Sequence, residues 1–143
     1  MGGLVLLDAL KKLVVSGIPW TGQITFIETP FNGAPPWKLK YTGFPVGTAA
    51  VQDMFEDSDF MKNLDFSVLN ECQVLCIVGS FSNRGFGIVG WLAKPIMDPR
   101  KRVPKPCVMK FDGIEHKALL NHQPAGDTVK SFFSCGYDIS LES

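Results

Sequence analysis

Cysteine and histidine side chains can act as metal ligands, nucleophiles or general bases. The spacing of these residues in this chain restricts which of those roles they can fill. Cys72 and Cys76 are separated by three residues, and no second cysteine pair or closely spaced histidine pair accompanies them. A tetrahedral zinc site needs four such ligands at compatible spacing. We therefore expect no metal and no cofactor. Because no secretory leader is recognisable before these cysteines, we expect the four thiols to be reduced and largely buried.

Catalysis by these residues is also poorly supported. His116 and His122 are six positions apart, and this spacing aligns them on neither a helix nor a strand. Cys76 stands between two large aliphatic residues, which predicts an inert, buried thiol. We expect a protein that is not an enzyme. The catalytic alternative is a small hydrolase or transferase that uses Cys107 or a histidine.

The strongest charge pattern in the chain is basic. Between residues 94 and 110, Asp98 is the one acidic residue, and four prolines disfavour regular secondary structure. This composition predicts an exposed, semi-rigid basic segment that contacts phosphate groups of RNA or of anionic lipids. The predicted binding residues are Lys94, Arg100, Lys101, Arg102 and Lys105. The alternatives are a solvated connector and a nuclear-localisation signal.

The first segment of the chain is predicted to be an amphipathic helix. Apolar residues recur at helical spacing from Leu4 to Val14, with Asp8 and two lysines on the other side, and Gly17 ends the pattern. Such a helix packs on a sheet or, alternatively, lies on a membrane or against a neighbouring subunit. For that second alternative, the predicted contact residues are Leu4, Leu7, Leu10, Val14 and Trp91.

The rest of the chain reads as mainly β-structure. Two apolar runs at 74–78 and 86–92 flank a turn at 82–85 and predict a central β-hairpin, covered on both faces by helices or by another subunit. Other predicted elements are strands at 23–29, 37–41, 106–111 and 129–135, a helix at 49–60, and a strand or helical turn at 114–120. The expected fold class is α+β, a mainly antiparallel sheet with the N-terminal helix and one further helix packed on it.

Length and composition place the chain among ordinary globular domains. Its 143 residues predict a single domain with a short polar C-terminal tail, and 45% of them are hydrophobic. Fourteen basic residues balance fourteen acidic ones, which argues against nucleic-acid binding over the whole surface but leaves room for a local basic patch. No apolar run reaches the roughly 18 residues that cross a bilayer. We expect an intracellular protein, soluble or peripheral to a membrane, in a virion or in the nucleus.

The layout of the chain resembles that of a known group of viral proteins. An opening helix, a Gly-Ile-Pro-Trp turn at 17–20, a β-rich body and the segment Asp98-Pro99-Arg100-Lys101 are similar to the small matrix proteins of bornaviruses and related negative-strand RNA viruses. The resemblance implies a non-enzymatic structural protein that forms a homo-oligomer and links an anionic membrane to RNA or nucleoprotein. The alternative within binding proteins is an adaptor that presents its acidic helix, near Glu56 and Asp57, and the loops between Pro30 and Pro45 to a host protein.

Overall fold

The centre of the molecule is a parallel β-sheet. The computed structural model describes residues 2–35, 48–80, 97–114 and 116–136. Within them, the sheet consists of β1 (Gln23–Ile27), β2 (Gln73–Ser80) and β3 (Cys107–Asp112), in the order β1-β2-β3. Both pairings are parallel. Helices and strands both contribute, as an α+β protein requires, but the prediction of a mainly antiparallel sheet is wrong.

β2 is the strand expected at the middle of the sheet, but its neighbours differ from those expected. β1 pairs with it from Gln73 to Ile77, and β3 pairs with it from Leu75 to Ser80. Both edges of β2 are therefore occupied at residues 75–77, and an antiparallel hairpin partner has no free edge there. The predicted second arm at 86–92 lies outside the described residues, as do the predicted strand at 37–41 and the tail at 137–143.

The described helices lie before, between and after these strands in the amino-acid sequence. Their bounds are α1 (Gly2–Val15), α2 (Ala49–Asp53), α3 (Asp59–Asn63), α4 (His116–Leu119) and α5 (Gln123–Cys135), with 3-10 turns at Phe66–Leu69 and Pro99–Lys101. The helix expected over 49–60 is divided, because Ser58 caps a new helix by accepting a hydrogen bond from the Met61 N–H at 3.1 Å. Of the two alternatives at 114–120, the helical turn is the one observed, as α4.

The segment at 129–135 was expected as a strand and is the second half of α5. Ala125 and Phe132 are buried and Val129 packs beside them, so the apolar residues follow a spacing of four and three that puts them on one helix face. Pro124 occupies the first turn of α5, where proline is tolerated. The strand prediction is wrong because it weighed the β-propensity of Val129, Phe132 and Phe133 without the upstream start of the helix.

Alternate residues of β2 point into two separate cores. Val74 and Cys76 face the layer that contains α1, whereas Leu75 and Ile77 face α5. The first core also contains Leu4, Leu7, Leu10, Ile24, Phe26, Phe31, Met61, Leu69, Cys72 and Val103. The second core also contains Leu119, Ala125 and Phe132. The expectation that both faces of this strand are covered is therefore confirmed, and helices cover both.

Candidate functional site

The described part of the predicted basic segment, residues 97–110, is held in a defined conformation. Asp98 caps the 3-10 turn Pro99–Lys101. Its side chain accepts a hydrogen bond from the Arg100 N–H at 3.1 Å. The Asn32 side chain donates to the Asp98 carbonyl at 2.9 Å, which joins the segment to the loop after β1. Pro99 and Val103 are buried. These contacts lie before and after residues 100–102, so this part of the segment is anchored on the body of the protein.

Four of the five predicted cations lie on this anchored stretch. Arg100 and Lys101 are exposed, and the Arg100 guanidinium lies 3.6 Å from the Asp98 carboxylate at the surface. The Arg102 guanidinium carbon lies 5.5 Å from the centre of the Phe66 ring, in the range of a cation–π contact. Lys105 is exposed and adopts a positive φ of 44°. Lys94 lies outside the described residues.

An open cavity adjoins the end of the basic segment. Its volume is about 520 Å³, and Pro104 and Lys105 line one side of it. The other side consists of residues 70–73, the stretch that leads into β2. The cavity therefore lies at the amino edge of the sheet, where β2 and β3 begin. Glu71 lines it too, so Lys105 faces a mixed rather than a uniformly positive surface.

The predicted contact residues of α1 divide into two groups. Leu4, Leu7 and Leu10 are buried in the core against β1 and β2, and the packing alternative accounts for them. They are not available to a membrane or to another subunit. Val14 is exposed and remains available for the predicted contact. Trp91 lies outside the described residues.

A buried carboxylate at the opposite edge of the sheet was not anticipated from the sequence. Glu28 follows β1 with a positive φ of 49°, and its N–H donates to the Ile77 carbonyl at 2.9 Å. Its carboxylate then accepts a hydrogen bond from the Gly79 N–H. A Cβ on Gly79 would lie 2.7 Å from the Ile114 carbonyl oxygen, so only glycine fits at this point of β2.

Glu28 thus completes the backbone pairing of β1 with β2. Its sequence neighbourhood carries no signal for this role, since the carboxylate reaches Gly79 only when the two strands are parallel. A Cβ on Gly79 would also lie 3.0 Å from the Glu28 carboxylate, so Glu28 and Ile114 both approach β2 closely at this residue.

Cys72 and Cys76 are buried, as expected, but Cys107 is half-buried and Cys135 is exposed, so the expectation of four largely buried thiols is wrong for Cys135. Burial raises the pKa of Cys76 to about 12, with a smaller contribution from the nearby Cys107 thiol. Burial also raises the pKa of Cys107 and, together with Glu71, that of Cys72. All four cysteines are free. Neither Cys76 nor Cys107 is therefore activated as a thiolate, the form that acts as a nucleophile.

The described residues also show no arrangement in which a histidine could bind a metal ion together with other ligands. His122 contacts Phe111 edge to face, with ring centres 5.3 Å apart. Across residues 2–35, 48–80, 97–114 and 116–136, no three acidic, cysteine or histidine side chains converge on a position that could hold a metal ion. Likewise, none of the described helices is long and apolar enough to cross a membrane.

Comparisons of the chain with protein-family models, with curated protein sequences and with solved structures found no significant match. The assignment of a function therefore rests on the geometry of the chain itself.

Proposed function

We propose that this protein is a non-enzymatic binding protein that contacts phosphate-bearing partners, an anionic membrane or RNA, through the basic segment Arg100–Lys105. The observation that carries the proposal is the anchoring of that segment. Asp98, Pro99 and Val103 hold it against the body of the protein while Arg100, Lys101 and Lys105 stay exposed. Cations that are already positioned lose less conformational entropy when they bind than cations on a mobile loop.

The local nature of the charge also favours this function. The chain has no net charge, so long-range attraction to a polyanion must come from this region rather than from the whole surface. A single segment provides few phosphate contacts, each worth about 1 kcal/mol near an anionic membrane. Self-assembly would repeat the segment on one surface and raise the apparent affinity by multivalency. A homo-oligomer of this kind matches the layered arrangement that the resemblance to small viral matrix proteins implies.

The role of the basic segment is tested by removing two exposed charges. We expect Arg100→Ala/Lys101→Ala to weaken binding to phosphatidylserine vesicles or to poly(U) at low salt by about 2 kcal/mol, close to thirtyfold. The variant should also show a shallower dependence of affinity on salt, because fewer counterions are released. Vesicle co-sedimentation and filter binding over a salt series provide the measurements.

A matched control separates local recognition from net charge. Lys62→Ala/Lys130→Ala removes the same number of charges from exposed positions on α3 and α5 and should bind like the unmodified protein. Equal losses in the two variants would contradict a dedicated basic site. Light scattering tests the assembly step, and a strict monomer at high concentration, both free and with poly(U), would contradict it.

A further inference from the structure

The end of α1 is a rigid turn that displays apolar side chains. The Ile18 N–H donates to the Leu13 carbonyl at 2.9 Å and the Gly17 N–H donates to the Val14 carbonyl at 3.0 Å. Together with the positive φ of 77° at Gly17, these two bonds form a Schellman motif, which ends the helix and fixes the direction of the chain beyond it. The residues on either side of Gly17 are therefore presented in a fixed arrangement.

Exposed apolar surface is concentrated at this turn. The described residues include nine exposed large hydrophobic side chains, and five of them fall between residues 13 and 20. Among these five, the most exposed are Val15 at 82%, Ile18 at 64% and Trp20 at 50%. We call Leu13, Val14, Val15, Ile18 and Trp20 the apolar turn. Concentration of apolar side chains at one projecting turn is typical of an interaction site rather than of scattered surface residues.

The apolar turn lies at the same edge of the sheet as Lys105. The Cys72 thiol donates to the Trp20 carbonyl at 3.2 Å, and the Gln73 N–H donates to the Gly22 carbonyl at 3.2 Å. Cys72 and Gln73 also line the cavity that Lys105 lines. The chain leaving the apolar turn therefore contacts the wall of the cavity next to Lys105, so the apolar turn and the Lys105 end of the basic segment both lie at the amino edge.

The chemistry of this edge fits a lipid bilayer. Tryptophan and aliphatic side chains partition into the boundary between headgroups and acyl chains, and cations bind the phosphates above it. Lys12 lies on the last turns of α1, where its ammonium is 2.8 Å from the Asp8 carboxylate, so the acidic residue of this helix is neutralised at the surface. Val15, Ile18 and Trp20 expose far less surface area than the roughly 800 Å² per partner that a stable protein–protein interface buries. Their exposed area therefore favours a lipid surface over a protein partner.

We infer that the apolar turn inserts into the interfacial region of an anionic bilayer while Lys105, at the end of the basic segment, contacts lipid phosphates. This inference rests on the proposed function and selects the membrane, rather than RNA, as the partner at the amino edge. Insertion by apolar side chains makes part of the affinity independent of salt, whereas phosphate contacts alone weaken steadily as salt is added.

The test is a double substitution in the apolar turn. We expect Ile18→Ser/Trp20→Ser to bind vesicles of phosphatidylcholine and phosphatidylserine at least tenfold more weakly than the unmodified protein, at low and at high salt. Quenching of tryptophan fluorescence by brominated lipid should fall in Ile18→Ser, which keeps Trp20 as the reporter. The matched control is Leu120→Ser/Phe133→Ser, which removes two side chains of similar exposure, 70% and 50%, near α4 and α5. It should bind vesicles normally.

The outcomes distinguish this inference from the proposed function. Full vesicle binding by Ile18→Ser/Trp20→Ser, together with loss of binding by Arg100→Ala/Lys101→Ala, would overturn insertion and leave the basic site standing. Binding of the unmodified protein to poly(U) but not to anionic vesicles would also overturn insertion alone. If the protein bound neither vesicles nor poly(U) at low salt, both the inference and the proposed function would be wrong.

Discussion

Glu28 takes over the place of a backbone carbonyl at the end of β1. Its positive φ turns the chain away from β2 after the bond to Ile77, so no main-chain oxygen of β1 continues the ladder at this point. The carboxylate accepts the Gly79 N–H instead. Because a buried N–H without an acceptor is costly, the side chain of Glu28 lets β2 run past the end of its partner strand without that penalty.

Removing this acceptor should destabilise the protein. We expect Glu28→Ala to lower the free energy of unfolding by roughly 1–3 kcal/mol, because the buried Gly79 N–H loses its partner. Glu28→Gln keeps an acceptor oxygen and should lose less. Urea denaturation measures both, and Glu56→Ala, at an exposed position, serves as the control. If Glu28→Ala were as stable as Glu56→Ala, the carboxylate would have no structural role.

The buried Cys76 thiol should lower the stability of the protein as the pH rises above 9. Its pKa is raised from 9.0 to about 12, so above pH 9 the unfolded chain loses this proton while the folded protein keeps it. The folded state then binds more protons than the unfolded state, and the free energy of unfolding falls as pH rises. Each pH unit between 9 and 12 removes about 1.4 kcal/mol, the equivalent of one unit of pKa.

Substitution isolates this contribution from the other groups that titrate in the same range. We expect the unmodified protein to lose about 2 kcal/mol more between pH 9 and pH 11 than Cys76→Val, which has no thiol at this position. Urea denaturation at a series of pH values gives the two profiles. Cys135→Ser, at an exposed cysteine, should retain the slope of the unmodified protein. Parallel profiles for Cys76→Val and the unmodified protein would show that the thiol does not contribute.

At the scale of the elements, strand location was easier to predict from the sequence than strand partners. The apolar run at 74–78 predicted β2, and its continuous apolarity predicted cover on both faces. The same continuity is typical of parallel sheets. The turn residues at 82–85 favoured a local hairpin instead, and local signals of this kind cannot show that β2 pairs with strands about 50 and 30 residues away.

The candidate site also depends on contacts between distant parts of the chain, which the sequence alone does not reveal. The basic composition of residues 100–105 was evident from the sequence, but its anchoring was not, because Asn32 and Phe66 come from distant parts of the chain. The apolar turn was also hidden. The helical pattern of α1 gave the same weight to Val14 as to Leu4, Leu7 and Leu10, and only the packing of α1 on the sheet separates the exposed residue from the buried three.

At the scale of the whole molecule, β2 contributes residues to two cores on opposite faces of the sheet. Val74 and Cys76 belong to the core under α1, and Leu75 and Ile77 belong to the core under α5. Loss of either layer would expose one face of the central strand to water. Exposure of an apolar face of β2 to water costs free energy. The two layers should therefore unfold together.

One substitution in each core tests this coupling. Leu7 and Phe132 are both fully buried. We expect Leu7→Ala to lower the free energy of unfolding by about 2–5 kcal/mol and Phe132→Ala by about 3–5 kcal/mol, as large-to-small changes in cores do. In both variants, amide hydrogen exchange should accelerate in α1 and α5 alike. Phe133→Ala, at the neighbouring exposed position, is the control and should change stability little. Faster exchange confined to the substituted layer would mean that α1 and α5 unfold independently and that β2 does not transmit stability between the two faces of the sheet.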